Sequence, residues 1–178
     1  MKKKELIETI NQINAQITKL VESSIKQIIV ESLKKEPKVI TKKEDVKGAV
    51  GFYMIFSNVS DAVSKSSCTI KHKDKRFTCV YRGHSYHMKN RLLSHLFYEP
   101  NSQYPNCMKI KIKGKKYNIN LETQKLYFEE KEISEEPFPN DIKWLIITIP
   151  LTGSKQAIRE MFEIVFDQTY GKPIYSDK

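Results

Sequence analysis

From residue 5 to residue 34 the apolar positions recur every three or four residues. Leu6, Ile10, Ile13, Ile17, Leu20 and Ser24 are spaced 4-3-4-3-4, and Ile25, Ile28, Ile29 and Leu33 extend the stripe. This near-heptad pattern predicts a long amphipathic helix. Its narrow seam suits packing along another helix, whether of a second subunit or of its own domain. Glu36-Pro37 ends it, because the residue before a proline is pushed out of the helical region. Residues 37–48 read as a lysine-rich connector.

Residues 49–56 are apolar or aromatic throughout, the pattern of a buried strand. Ser57 to Ser67 are small and polar, a loop or short helix. Cys68 to Ile70 and Phe77 to Tyr81 pair as strands around the basic turn Lys71 to Arg76, and Gly83 breaks the second. A helix is expected over 87–98, with Met88, Leu92 and Leu96 on one face, then a loop over 99–107 holding Pro100 and Pro105. Met108, Ile110 and Ile112 alternate with Lys109, Lys111 and Lys113. Gly114-Lys115 turns the chain, and Tyr117, Ile119 and Leu121 alternate again. This is a β-hairpin with an apolar face and a lysine face, to which Leu126 and Phe128 add a third strand. Residues 129–141 are acidic, contain Pro137 and Pro139, and read as loop. Trp144 to Ile149 is a further buried strand closed by Pro150 and Gly153. Ser154 caps a helix running to about residue 170, with Gly171 as its C-cap residue and Pro173 as its stop. The whole reads as a mixed α/β (α+β) domain over 48–178: a three-stranded central antiparallel sheet flanked by helices, with a hairpin inserted at about 108–128. A helical arm and linker over 1–47 precede it.

Charge narrows the partner. The chain carries +10, and residues 65–116 alone carry +11, from 13 basic and 2 acidic residues, while residues 117–178 carry −4. A field this concentrated attracts a polyanion and releases its counterions, so nucleic acid is the expected partner. No stretch approaches 18 apolar residues, and the lysine-rich start is not followed by the apolar run of a signal peptide. Three cysteines, Cys68, Cys79 and Cys107, show no CxxC spacing, which argues against a disulfide framework and for a reducing cytoplasm. A zinc set of Cys68, His72, Cys79 and His84 matches no ligand framework.

Two motifs carry chemistry. Gly51-Phe52-Tyr53 lies in the first core strand. Tyr81-Arg82-Gly83-His84-Ser85 ends the next, followed by Arg91 and His95 on the succeeding helix. In this order the chain resembles the GIY-YIG nucleases, most closely the type II restriction endonucleases among them. The family has G-x-Y on one strand, Y-x-G-x-S on the next, a helix with an arginine and often a histidine, a later helix with a metal-binding glutamate, and a P-x-Y-N tail. Here the late helix offers Glu163, with Glu160 as the other candidate, before Pro173-Ile174-Tyr175-Ser176. The likeness covers roughly residues 49–98 and 144–176. It departs from the family in the 28 residues from Tyr53 to Tyr81, in Arg82 where isoleucine is usual, and in Ser176 where the tail asparagine belongs.

The resemblance implies phosphodiester hydrolysis. Tyr53 would act as general base, Glu163 as the sole protein ligand of magnesium (manganese as substitute), and Arg91 as the grip on the scissile phosphate. Tyr81 and His95 would orient water or phosphate. DNA contacts are expected from Lys73, Lys75, Arg76, Arg82 and His84, and from Lys109, Lys111, Lys113, Lys115 and Lys116 on the hairpin. Base edges would be read by Asn101, Gln103, Asn106 and Asn118. A palindromic double-stranded DNA site favours a homodimer, and no small-molecule cofactor is implied. Other readings are a non-catalytic nucleic-acid-binding protein with a decayed site, a repair or mobile-element nuclease, and a basic RNA-binding protein. The last would tolerate Tyr53→Phe.

Overall fold

The computed structural model describes residues 3–59, 66–100, 107–129, 131–133 and 138–176. It is a mixed α/β protein of three α-helices and two antiparallel sheets. Helix α1 spans Lys3–Leu33, α2 Met88–Leu96 and α3 Gln156–Tyr170. The larger sheet uses β1 (Lys38–Ile40), β2 (Gly51–Ser57), β3 (Thr69–His72), β4 (Lys75–Ser85) and β9 (Trp144–Pro150), in the order β1-β9-β2-β4-β3. The smaller uses β5 (Ile110–Ile112), β6 (Lys115–Asn120), β7 (Lys125–Phe128) and β8 (Lys131–Ile133), in sequence order.

β2 lies between β4 and β9 and every one of its residues is buried, which is why its sequence is apolar without alternation. Phe52, Met54 and Phe56 join Phe162, Val165 and Phe166 of α3 and Ile25 and Ile29 of α1 in one core. Tyr53 and Ile55 join Met88, Leu92 and Leu96 of α2 and Ile110, Tyr117, Ile119 and Leu126 of the small sheet in the other. The larger sheet thus has α1 and α3 against one face, α2 and the small sheet against the other. Backbone bonds from Tyr98 N–H to the Ile119 carbonyl and from Leu121 N–H to the Leu96 carbonyl, both 2.9 Å, tie the exit of α2 to β6.

Both hairpins with lysine tips turn in two residues. Lys73 and Asp74 have φ of 47° and 62°, and Lys113 and Gly114 have φ of 47° and 84°. Left-handed pairs of this kind match the twist of the flanking strands.

The large sheet has five strands rather than the three expected. β1 comes from the connector, pairing Lys38 with Ile146 and Ile40 with Trp144. Only Ile40 of its three residues is buried, so too few positions alternate to show in the sequence. β1 and the buried Ile25 and Ile29 also make much of 21–40 part of the body rather than an appended arm. β8 forms within the acidic stretch read as loop, and the expected hairpin is a four-stranded sheet.

Past Cys79, β4 has no β3 beside it. The chain's last described residues lie there instead: Tyr175 N–H donates to the Val80 carbonyl at 2.9 Å, and Arg82 N–H donates to Ser176 Oγ at 3.1 Å.

Candidate active site

Tyr53 sits on β2 opposite Gly83 of β4 and Thr148 of β9, 1% exposed. Its ring crosses the space a side chain at 83 would fill. A Cβ there would lie 2.7 Å from the Tyr53 hydroxyl oxygen, closer than carbon and oxygen pack. Gly51 is equally constrained, because a Cβ would meet the Ile149 carbonyl at 2.2 Å. Both motif glycines are required by sterics, one of them by the phenol itself.

A bulge sets which way Tyr81 faces. Ile55 pairs with Tyr81 and Phe56 with Cys79, leaving Val80 as the extra residue. Phe77 and Cys79 therefore point to the α3 side, while Tyr81 and Gly83 point with Tyr53 to the α2 side. Strict alternation would have put all four on one face. The Tyr53 and Tyr81 rings are near-parallel at 15°, centroids 6.1 Å apart. α2 brings in Arg91 and His95, one turn apart, and the His95 ring centroid is 4.3 Å from that of Tyr81. Four of the expected residues, Tyr53, Tyr81, Arg91 and His95, thus form one cluster.

The polarity of this cluster follows from one backbone bond. Met108 N–H donates to His95 Nδ1 at 2.9 Å. An amide nitrogen can only donate, so Nδ1 carries no proton and the neutral ring holds its hydrogen on Nε2. Burial, aided by Arg91, pushes the His95 pKa down to about 3, so the ring is neutral. Nε2 stands 3.0 Å from the Tyr53 hydroxyl oxygen and therefore donates to it. Arg91 also hydrogen-bonds both phenols. With two donors aimed at the Tyr53 oxygen, its own O–H is directed to Tyr81. Burial pushes the Tyr53 phenol well above the tyrosine range, Tyr81 adds to this, and the Arg91 guanidinium opposes it. Burial also raises Tyr81, again opposed by Arg91, with Glu163 nearby pushing it further up.

Glu163 reaches the same strand from α3. Its carboxylate accepts from Arg82 Nη1 at 2.8 Å and from the His84 backbone N–H at the open edge of β4. Arg82 also forks onto Asp167, from Nε at 3.0 Å and Nη2 at 2.6 Å. Asp167 lies one turn beyond Glu163, a spacing that marks one helix face in the sequence. Burial raises the Glu163 pKa, and Arg82 opposes the rise. The Glu163 side chain remains 22% exposed. Glu160 is exposed and accepts from Gln156 Nε2 at 2.7 Å, while its charge still acts on Glu163 and His84. Arg159, one turn before Glu163, is buried, donates to the Ser154 carbonyl at 2.5 Å and stacks on Tyr86 with its guanidinium carbon 3.8 Å from the ring centroid.

Arg82 and His84, expected at a DNA surface, are turned inward. The Arg82 side chain is 6% exposed and committed to α3, because even-numbered residues after the bulge face that helix. His84 is half-buried, with Nδ1 enclosed and unpartnered and Nε2 4.0 Å from Glu163 Oε1. Lys73, Lys75 and Arg76 are exposed at the β3–β4 tip, at least five residues or about 17 Å along β4 from Tyr81. Lys109, Lys111, Lys113, Lys115 and Lys116 are all exposed on the small sheet, and Lys109 adjoins the very residue that orients His95. Asn118 is buried and donates to the Met108 carbonyl at 3.4 Å, so it is not a surface reader. Asn101, Gln103 and Asn106 lie outside the described residues.

Among the described residues no three His, Cys, Asp or Glu side chains gather in a way that could hold a metal ion, and the drawn zinc set is not assembled. Cys68, Cys79 and Cys107 are buried and joined by no disulfide. No described helix is long and apolar enough to cross a membrane. An apolar cavity of about 450 Å³ opens near Trp144, Phe77 and Ile40, toward the Ser57 end of β2 and apart from the phenols. Glu163 keeps solvent access beside Asp167, and magnesium is commonly held by one carboxylate, with water and phosphate oxygens completing its shell. Asp167 offsets the Arg82 charge beside it. A hydrated magnesium ion on Glu163 would have to share the carboxylate with the Arg82 guanidinium and the His84 backbone N–H that already bond it. Comparison of the chain with protein-family models, with curated proteins and with solved structures gave no match.

Proposed function

We propose that this chain is a magnesium-dependent endonuclease of the GIY-YIG type, cutting double-stranded DNA at a specific site as a restriction enzyme does. The observation that carries the reading is the Met108–His95–Tyr53 relay. Packing alone asks for a single hydrogen-bond partner for a buried phenol, whereas the Tyr53 oxygen has both a histidine locked as a donor and a charged arginine. Arg91 opposes the burial that keeps the Tyr53 phenol protonated, and with the His95 donor it would favour the phenolate form in which Tyr53 takes a proton from an attacking water. Tyr81 accepts the Tyr53 O–H hydrogen bond and, being less buried, would take that proton as its own O–H proton leaves toward solvent. Arg91 faces the phenols with a planar fork suited to a phosphate. A magnesium ion on Glu163 would supply charge stabilisation at the phosphate and the departing oxygen. Lys109, next to the residue that orients His95, and the exposed pair Lys111 and Lys116 would hold the DNA backbone. The strand order β9-β2-β4, with both tyrosines on inner strands and the arginine helix directly after β4, supports the same reading.

A second reading has support in one place. Arg82 already occupies Glu163, and Ser176 takes the place of the tail asparagine, as in a DNA-binding domain that no longer cuts. Incubation with plasmid DNA and magnesium separates the two. The nuclease reading expects discrete fragments from the wild type, none from Tyr53→Phe or Glu163→Ala, and none after chelation. A gel shift without cleavage in any divalent metal leaves the binding module.

A further inference from the structure

We infer that α1 is a dimerisation helix, whose outward seam packs on the same seam of a second copy of this chain. The inference does not depend on the nuclease reading. The helix divides into two halves. Ile25 and Ile29 are 4% and 1% exposed and lie in the core with α3 and β9, which anchors the C-terminal half to the body. Leu6, Ile10, Ile13, Ile17 and Leu20 are 43%, 47%, 49%, 55% and 69% exposed, so nothing in the chain's described residues covers the N-terminal half. Five large aliphatic side chains in one line are not scattered surface residues. They form a continuous apolar face of the kind that marks an interface.

Three observations say what covers it. The first is periodicity. The seam holds a strict 3-4 repeat, with Ile10, Ile17 and Ser24 at one core position and Leu6, Ile13 and Leu20 at the other. A seven-residue repeat keeps a seam facing a partner helix with the same repeat, and isoleucine at the first position with mostly leucine at the second is the two-stranded pattern. The second is charge. Lys3–Leu33 holds four lysines and four glutamates, net zero, in a chain of net +10. A DNA-wrapping arm would carry part of the basic excess, and a helix lying on an anionic bilayer would have a lysine-rich polar face. A neutral helix fits neither and repels no copy of itself. The third is length. Residues 3–24 make about 33 Å of helix, roughly three heptads, the run over which such a repeat argues for a coiled coil.

The test is the mass in solution of the full chain, by sedimentation across the micromolar range, beside Ile13→Asp with Ile17→Asp. Both positions are exposed and far from the core, so the body should keep its fold, checked by the near-ultraviolet signal of the single tryptophan, Trp144. The wild type is expected at twice 20.8 kDa and the variant at 20.8 kDa. Helical signal should also fall in the variant, because a lone arm frays. A wild type that stays monomeric throughout overturns the inference. So does a dimer that survives both substitutions, or an unchanged mass with loss of binding to DNA or to anionic vesicles.

Discussion

Tyr53 and Gly83 meet across one rung of the sheet, and the absence of a Cβ at 83 lets the phenol lie where His95 and Arg91 reach it. Gly83→Ala should therefore act as an active-site substitution although it adds no chemistry. The extra methyl displaces the Tyr53 ring, with a stability loss of about 1–3 kcal/mol and loss of cleavage, while DNA affinity in a gel shift stays near wild type. The motif glycines, both tyrosines, Arg91 and His95 stand out in the sequence only through the order they share with the GIY-YIG nucleases, and the fold brings the four side chains together. The direction of the His95 bond was not legible, since it is set by the backbone of Met108, thirteen residues away, and an amide N–H leaves no mark in the sequence. Arg82 was misread for a related reason. A lone arginine in a basic stretch looks like a phosphate contact until the bulge at Val80 and the carboxylates of α3 are known.

At the scale of elements, the long repeats were readable and the short pieces were not. α1, β2, β9 and α3 each carry enough periodic or apolar positions to show themselves. β1 and β8 have three residues apiece and exist because a neighbouring strand offers an edge. The lysine hairpin was visible as alternation, but its register gives it a further property. Lys111 stands directly opposite Lys116. Like charges so placed oppose the pairing of their strands, and a bound polyanion would relieve that repulsion. Lys111→Ala with Lys116→Ala is expected to raise the thermal stability of the free protein slightly. It should also make the dependence of log DNA affinity on log salt shallower by about 2, one phosphate per lysine at about 0.9 each. An unchanged salt slope would move the DNA interface away from this sheet.

The whole molecule stacks two helices, a five-stranded sheet, a short helix and a four-stranded sheet, and His95 is enclosed where the last three meet. Enclosure gives it a pH signature. The ring stays neutral in the folded chain down to about 3 but binds a proton near 6.5 when unfolded. The unfolded state thus holds one proton more between these values. Stability should rise with pH through that window, by up to about 1.4 kcal/mol per unit from this group, and level off above it. Chemical denaturation at a series of pH values reads the slope, and His95→Gln should flatten it. The layer order and the two cores could be anticipated from alternation, but the covering of β4 by the tail could not, since it depends on where β3 stops. That covering has a consequence for the protein at high concentration. A strand edge with open amides and carbonyls is a template on which another chain can add. Between Val80 and His84 the edge is filled by a proline-bearing tail, a serine hydroxyl and a carboxylate, none of which offers a further row of hydrogen bonds. The strand that carries Tyr81 is thereby kept from seeding fibrils.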